Sequence, residues 1–334
     1  MAVKFLEDVG AKLINATRKE MVDAIFAASG RVVIGETVTF KQSMIDGVSN
    51  IELLKSWGCD MVTINHYNVN FPMIPGMEST QAGIEQFGSC FNEAGSKGCK
   101  PSTKVIENSF QKIFWQFGFG ATIGDVKRLV GVPVGMTLEP VTEEDDYPQG
   151  RVANEENARR GAEQGASYIT LIHTPQMSAG EFAKSVAQVR SGMGEMGLVK
   201  AGKMPWGGCS FLVNADEFVT EAEIKELAAA GADAIVLPTP GTVPGLTIEL
   251  VRQWVTVRLA GGNHHRYLPG GRGSGCHPPF RHRQQDDRGG SVPDRRQRLR
   301  RLLYSGKCDV FCAGYQRPAS HSAQGGAFSP ALSS

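Results

Sequence analysis

The sequence of 334 residues contains no apolar run close to the ~20 residues that a membrane-spanning helix needs. Its first residues, MAVKFLEDVGAKLINATRKE, include acidic side chains and lack the apolar centre of a secretory signal peptide. The seven cysteines are scattered without a Cys-x-x-Cys pair, which favours reduced thiols over a disulfide scaffold or a zinc site. We therefore expect a soluble, cytoplasmic protein with no membrane partner.

An excess of charge of one sign is also missing. Thirty-five Lys and Arg residues balance 34 Asp and Glu residues, which leaves a formal net charge of +1. Without a net positive field there is no general attraction to nucleic acid, so we expect no nucleic-acid partner. The length allows one large domain or two.

The common nucleotide-binding motifs are absent. No Gly-x-Gly-x-x-Gly follows the first predicted strand, and no Gly-x₄-Gly-Lys-Ser/Thr occurs. What the chain has instead is a regular alternation of strand and helix signals, which predicts a parallel α/β fold. Polar residues at successive strand ends favour a TIM (β/α)8-type barrel over a doubly wound sheet. The predicted strands are 31–36, 60–66, 132–139, 166–173, 198–203 and 232–237.

Residues 1–262 are predicted to form the TIM-barrel catalytic domain. Within it, a Gly-, Pro- and aromatic-rich insert at about 68–121 follows the second strand, and its length is typical of a lid. Two helices end in similar strings, EQGASYITL and AAGADAIVL, in which Gly165 and Gly231 are predicted C-cap glycines. The predicted helices are 49–58, 122–129, 154–164, 178–193, 220–230 and 246–259.

From Asn263 onward Arg, Gly, Pro, Ser and His dominate, where a seventh strand is expected. Asn263–Tyr267 can be back-translated so that a one-base shift reads ITID, a strand ending in a carboxylate, and Asp294–Val310 likewise reads IGDSGYDGYCIPENVM. We therefore predict that 263–334 is a frameshifted, disordered tail and that the last two βα units of the barrel are lost. A natural disordered tail and an Arg-rich nucleic-acid-binding arm are the alternatives.

Charged, imidazole and amide groups stand at or just past the ends of different predicted strands. In a barrel the carboxyl ends of all strands surround one mouth, so these groups are expected to converge there. The alternative for each single residue is a hydrogen bond that caps a loop, and for one of the lysines, Lys200 or Lys203, a salt bridge to Glu139. The candidate catalytic residues are Glu36, His66, Glu139, His173 and Lys203.

A second set of residues is suited to binding an anion, which makes a small anionic metabolite the expected partner. Glycines between a buried strand and a helix N-terminus allow a phosphate or carboxylate to approach the backbone closely, although a plain βα turn is equally compatible. A lysine on the fifth strand is able to pair with such a group or to form a Schiff base. The candidate binding residues are Asn65, Lys200, Gly241, Thr242 and Gly245.

The strings RVVIGETVTF, INHYNV, PVGMTLEP, IHTP, KAGKMPWGG and GADAIVLPTPGTVPG resemble a poorly characterised bacterial TIM-barrel family. Its members have been labelled phosphoenolpyruvate phosphonomutase-like or haloacid dehalogenase-like hydrolase. The resemblance covers about residues 1–262. A dehalogenase needs an Asp-x-Asp pair, which this sequence lacks. A phosphonomutase would bind Mg²⁺ through carboxylates, for which Glu36 and Glu139 are the candidates, with the acidic run 143–146 as a further source.

The resemblance implies a barrel that acts on a small phosphorylated or carboxylated molecule, and it transfers no catalytic roles. From the strand-end residues our leading hypothesis is a lyase or isomerase that acts on such a metabolite by enolate-type acid/base chemistry. Glu139 or His173 would move the proton, Lys203 would neutralise the enolate, and the 241–245 loop would hold the anion. A metal-dependent hydrolase with Glu36, His66 and His173 as ligands is one alternative. A non-catalytic barrel that binds a sugar phosphate is another, and a homo-oligomer is compatible with each.

The reading frame is testable directly. We expect that resequencing the codons for Gly261–His264 will reveal a one-base shift, and that correcting it will raise soluble yield and thermal stability together. The reason is that a closed barrel leaves no unpaired strand edges. Cooperative melting of the present chain, with residues 263–334 protected from proteolysis, would contradict the frameshift.

Overall fold

Six short β-branched and apolar runs form strands that alternate with helices. The computed structural model describes residues 2–5, 7–8, 10–95, 115–141, 147–174, 177–204, 218–240, 245–255 and 257. Its strands are β1 (Ile34–Val38), β2 (Met61–Asn65), β3 (Val134–Thr137), β4 (Tyr168–Ile172), β5 (Leu198–Gly202) and β6 (Ala234–Val236). Its α-helices are α1 (Ala11–Ile14), α2 (Arg18–Ala27), α3 (Asn50–Ser56), α4 (Gln81–Gly95), α5 (Ile123–Val130), α6 (Glu155–Glu163), α7 (Ala179–Met193), α8 (Glu221–Ala229) and α9 (Ile248–Val255).

All neighbouring strands pair in parallel, and their order across the sheet is β1-β2-β3-β4-β5-β6. Each strand therefore lies beside the one before it, as in a (β/α)8 barrel, whereas a doubly wound sheet reverses direction near its middle. The predicted α/β barrel class is confirmed for the described strands. The predicted tail, 263–334, lies outside the described residues.

The first strand differs from its prediction in a way that matters for the site. The sequence pattern placed it at 31–36, with Glu36 at its end, but β1 runs from Ile34 to Val38. Thr37 and Val38 continue the pairing with β2 because β-branched side chains suit an extended backbone. Glu36 therefore occupies the centre of β1.

The two faces of the sheet are packed differently. Ile64, Met136 and Ile169 belong to the main apolar cluster, which joins the sheet to the surrounding helices. Met61 and Leu198, the first residues of β2 and β5, belong to a second cluster formed with the apolar face of α2. The unpredicted helix α2 therefore closes the barrel at the amino ends of the strands and leaves the carboxyl ends as the mouth.

Local sequence signals fix the helix ends. The N-cap residue Thr220 accepts a hydrogen bond from the backbone N–H of Glu223, whose carboxylate in turn accepts one from the backbone N–H of Thr220, and the same capping box begins α3, α5 and α7. The predicted C-cap glycines Gly165 and Gly231 have φ values of 102° and 100°, which a glycine adopts without strain.

The described part of the 68–121 insert packs on its own aromatic rings. Phe87 on α4 stacks on Phe119 with ring centroids 4.3 Å apart, and Phe71 lies 5.9 Å from Phe119. The backbone N–H of Thr80 donates to the carbonyl of Phe119 over 2.8 Å. Residues 96–114 lie outside the described part, and the role of a lid stays a prediction. No described helix has the length and apolar character needed to cross a bilayer.

A buried carboxylate connects the closed end of the barrel to its wall. Asp233, 4% exposed, lies just before β6. Its Oδ1 accepts hydrogen bonds from Arg18 of α2, and its Oδ2 accepts from Arg190 of α7 and from the backbone N–H of Val199 in β5. Arg18 also pairs with Glu195. One side chain thus holds four parts of the chain together.

We expect Asp233→Ala to lower the free energy of unfolding by about 3 kcal/mol, because it leaves two partly buried guanidinium groups without their carboxylate. Urea denaturation of the folded domain measures this change. Glu221→Ala is the matched control, since it removes a carboxylate from the exposed pair with Lys225 and should cost less than about 0.5 kcal/mol. Equal effects of the two variants would contradict a structural role for the buried cluster.

Candidate active site

Alternate residues of the strands project into the barrel interior and form two rows. Strand register aligns Thr137 with Thr170 and Thr170 with Lys200, so these side chains share one face. A Cβ built on Gly35 would contact Cys59 and Leu54, which places the opposite face of β1 against α3. The lower row contains Glu36, Thr63, Gly135, Tyr168 and Leu198, and the upper row contains Val38, Asn65, Thr137, Thr170, Lys200 and Ala234.

A hydrogen-bonded chain orients Glu36. The amide Nδ2 of Asn65 donates to Glu36 Oε1 over 2.9 Å. Asn65 Oδ1 accepts from Thr137 Oγ1 over 2.9 Å and from the backbone N–H of His66 over 2.8 Å. These two donors fix the orientation of the amide, so its NH₂ group points at the carboxylate. Glu36 is exposed, and among the described residues only its Oε1 has a hydrogen-bond partner.

Lys200 lies at the centre of β5 and is only 7% exposed. Its Nζ lies 4.6 Å from the centroid of the Tyr168 ring, a cation–π contact. Tyr168 is held in turn by a 2.9 Å hydrogen bond between its hydroxyl and Thr63 Oγ1. Burial lowers the pKa of Lys200 from 10.5 to about 8, against the opposing attraction of Glu36.

Gly135 makes room for the Tyr168 ring. A Cβ at position 135 would lie 2.4 Å from two ring carbons of Tyr168, closer than real contacts allow. The lower row therefore needs a glycine at this position so that the aromatic ring can lie beneath Lys200.

Two polar groups in the upper row have unused hydrogen-bonding capacity. Thr170 Oγ1 is buried and makes no hydrogen bond to any described residue. The ammonium of Lys200, on the next strand in register, also has no hydrogen bond within the described ranges. Because buried polar groups are normally satisfied, this pair of neighbours is suited to a small polar ligand.

Glu139 and Arg151 form a salt bridge at the mouth. Arg151 Nη2 donates to Glu139 Oε1 over 3.0 Å, and the backbone N–H of Glu139 donates to the carbonyl of Arg151. Burial raises the pKa of Glu139, and the charge of Glu36 adds to this, whereas Arg151 opposes it. Arg151 Nε is buried without a hydrogen bond to any described residue, so the guanidinium has a donor left for a ligand.

His66 follows β2 in a left-handed conformation, with φ 62°. Its ring contacts Phe40 edge-on, with the centroids 4.9 Å apart. Burial, with a smaller contribution from the positive charge of Arg151, lowers the pKa of His66 from 6.5 to about 4. The imidazole is therefore neutral near pH 7 and is able to act as a proton acceptor or hydrogen-bond donor.

His173 and Lys203 lie in a separate group on the helix side of the sheet. His173 stacks on Phe182 of α7, and its Nε2 lies 2.7 Å from the carbonyl oxygen of Met177. Lys203 Nζ is 2.5 Å from Glu223 Oε1 at the start of α8. The salt bridge to Glu139 predicted for Lys200 or Lys203 is therefore not formed, because Lys203 pairs with Glu223 and Glu139 pairs with Arg151. His173 and Lys203 line a pocket with Phe182, Glu223 and Leu227.

The structure thus divides the predicted site residues. Glu36, Asn65, His66, Glu139 and Lys200 lie on the inner face and at the mouth, whereas His173 and Lys203 lie behind the strands. Gly245 is exposed with φ 84°, just before α9, and Gly241 and Thr242 lie outside the described residues. The residues that sequence reasoning missed are Thr63, Thr137, Tyr168, Thr170 and Arg151.

Some of the missed residues carry a signal. Thr137 and Thr170 alternate with apolar residues on predicted strands, a pattern that indicates inward-facing polar groups. Arg151 carries none, because its position follows from the 3₁₀ turn Gln149–Arg151, which brings the chain back to Glu139.

The described residues contain no preformed cluster of metal ligands. No three His, Cys, Asp or Glu side chains among them come close enough to share a metal ion. Glu36 is bonded to Asn65 and Glu139 to Arg151. The acidic run 143–146 lies outside the described part. His173 stands apart from Glu36 and His66, so the predicted hydrolase ligand set is not assembled.

Comparison with known proteins gives a family and a set of distant structures. A family profile described as "Domain of unknown function (DUF7916)" matches residues 7–263. No functionally curated protein matches the sequence. Similar solved structures include 2,3-dimethylmalate lyase, described as a PEP mutase/isocitrate lyase superfamily member, with 12% identity and a TM-score of 0.37 over 73% of this chain and 68% of that one.

Two further structures have comparable similarity. A putative lyase/mutase from Burkholderia cenocepacia J2315 has 14% identity and a TM-score of 0.37 over 75% of this chain and 77% of its own. Deoxyribose phosphate aldolase from Aeropyrum pernix, described as tetrameric, has 10% identity and a TM-score of 0.36 over 71% of this chain and 73% of its own.

We expect His66 to make stability depend on pH. Its folded-state pKa of about 4 lies below the ordinary 6.5, so the unfolded chain binds the proton more readily and stability falls as the pH is lowered from 6.5 towards 4. His66→Asn, which tolerates a positive φ, should flatten this part of the curve. Urea denaturation of both proteins between pH 4.5 and pH 7 measures the difference, and parallel curves would contradict the assignment.

Proposed function

We propose that this chain, which belongs to the DUF7916 family, is a lyase or isomerase acting on a small carboxylated or phosphorylated metabolite. The chemistry is of the enolate type and takes place on the inner face of the barrel. The observation that carries this proposal is the placement of the nearly buried Lys200 ammonium in the upper row, with the Glu36 carboxylate in the row below. A cation and a base in one interior are what proton abstraction next to a carbonyl requires.

In this proposal each residue of the inner face has a separate role. A carboxylate or carbonyl oxygen of the substrate binds between Lys200 and the unsatisfied hydroxyl of Thr170. The free oxygen of Glu36 removes the proton from the adjacent carbon, while Asn65 holds the other oxygen. Lys200 offsets the negative charge that develops on the enolate oxygen. Low exposure strengthens this attraction, since little water screens it.

The second anionic group of the substrate binds at the mouth. The Nε–H of Arg151 is not used by the salt bridge to Glu139 and has no other hydrogen-bond partner among the described residues. The positive charge of Arg151 also lowers the pKa of His66, so the neutral imidazole lies near the guanidinium. Glu139, whose pKa is raised by burial, is suited to return a proton to the product. The 241–245 loop remains a proposed phosphate site, and a role for His173 and Lys203 would require a second site behind the strands.

The reaction class is tested by hydrogen exchange next to a carbonyl. We expect wild-type protein to exchange the methyl protons of pyruvate in D₂O, followed by ¹H NMR, and Glu36→Gln to slow this exchange by ~10²-fold or more. Glu221→Gln, the same change on the exposed surface of α8, should leave the rate unaltered.

Two outcomes would overturn the proposal. Normal exchange in Glu36→Gln together with loss in Lys203→Met would move the chemistry to the pocket behind the strands. Binding of pyruvate without any exchange in wild-type protein would favour the barrel that only binds its ligand.

A further inference from the structure

Among the described residues, Lys200 has no ion-pair partner of the kind that a buried structural lysine normally has. Its ammonium contacts the face of Tyr168, yet within the described ranges it neither pairs with a carboxylate nor donates to a carbonyl. An isolated buried charge costs free energy, so a lysine kept in such a position calls for an explanation. The nearby Lys203 shows the ordinary alternative, because its ammonium is held by Glu223.

The groups near Lys200 are suited to catalysis rather than to a structural salt bridge. Thr170 is its direct register neighbour on β4, so the two side chains stand on adjacent strands that are ~4.8 Å apart. The Thr170 hydroxyl makes no hydrogen bond to the described residues, and Glu36 is the charged group whose attraction reaches Lys200. A nucleophile, a hydroxyl and a carboxylate thus face the same interior.

We propose that Lys200 is a covalent nucleophile that forms an imine with a small carbonyl substrate, a 2-oxo acid or a phosphorylated aldehyde or ketone. This inference rests on the proposed function because it uses the same site. It differs in the role of Lys200, which forms a covalent bond to the substrate instead of stabilising the enolate by its charge. It also narrows the substrate class, because a carboxylate alone does not form an imine.

The step balances with groups that face the interior. The Lys200 ammonium gives one proton to the carboxylate of Glu36, and the lone pair of the resulting amine attacks the carbonyl carbon. The C=O π pair moves to oxygen, and proton transfer gives a neutral carbinolamine. Protonated Glu36 then donates to the departing hydroxyl, water leaves, and the C–N bond becomes a positively charged imine. The net change is carbonyl plus ammonium to iminium plus water, with no external oxidant or reductant.

The iminium carries out what the proposed function requires. Its positive nitrogen withdraws electrons from the adjacent carbon, so the Glu36 carboxylate is able to remove a proton there and leave a neutral enamine. Thr170 is placed to hold the carbinolamine oxygen. The pKa of about 8 supports the proposal, because about one lysine in ten is then a free amine at pH 7.

Borohydride trapping tests the inference. Full-length protein is incubated with pyruvate, or separately with glyceraldehyde 3-phosphate, and sodium borohydride is added to reduce any imine to a stable secondary amine. We expect a single adduct by intact mass, and peptide mapping should place it on Lys200. Its yield should rise as the pH is raised through about 8, because the free amine is the nucleophile.

Matched lysine variants give the controls. Lys200→Arg keeps the positive charge and Lys200→Met keeps the apolar stem, and both should lose the adduct. Lys203→Met, which removes the ion-paired lysine, should retain it. Circular dichroism checks that each variant is folded, and mapping of the wild-type adduct decides the matter if Lys200→Met does not fold.

The outcomes separate this inference from the proposed function. No adduct on Lys200 with either probe, or labelling spread over exposed lysines, overturns imine formation. Pyruvate exchange in D₂O without an adduct leaves the enolate chemistry standing and removes the covalent step. An adduct on Lys200 without exchange supports the nucleophile and removes the enolate-type reaction.

Discussion

Parallel pairing in sequential order sends every second side chain of the strands into one interior, and the candidate site depends on this constraint. Apolar side chains on the other face pack under the helices, so the inner face is free to carry polar groups. The resulting upper row places Asn65, Thr137, Thr170 and Lys200 in register. None of these residues is close to the next in sequence, and only the sheet brings them together.

Within that interior, burial and charge act on each ionisable group in a different direction. Lys200 is driven towards its neutral form, Glu139 towards its protonated form, and His66 stays neutral. Glu36 is instead exposed and oriented by Asn65. The pKa of Lys200 is lowered and that of Glu139 is raised, so both move towards neutrality, which supports the proposed reaction site.

Much of the fold follows from sequence periodicity, but which side chains of each strand face the barrel interior does not. The β-branched runs locate the strands, but a slip of one residue in the register reverses which side chains face inward. Lys200 and Lys203 are three positions apart, so they fall on opposite faces, and the sequence alone gave no reason to prefer the first. Helix α2 is not predicted from the sequence because it has few apolar residues, and these have a packing partner only at the amino end of the folded barrel. Arg151 depends on a returning loop that no local pattern indicates.

The carboxylate of Asp233 binds the helix that closes the barrel and also the backbone N–H of Val199, the residue immediately before Lys200. Helix α2 and strand β5, which carries Lys200, are therefore held by the same carboxylate. A shift of α2 relative to the sheet would therefore act on β5 at the residue immediately before Lys200. Sequence changes in the N-terminal helix, remote from the mouth, would on this account alter reactivity at the centre of the barrel as well as its resistance to unfolding.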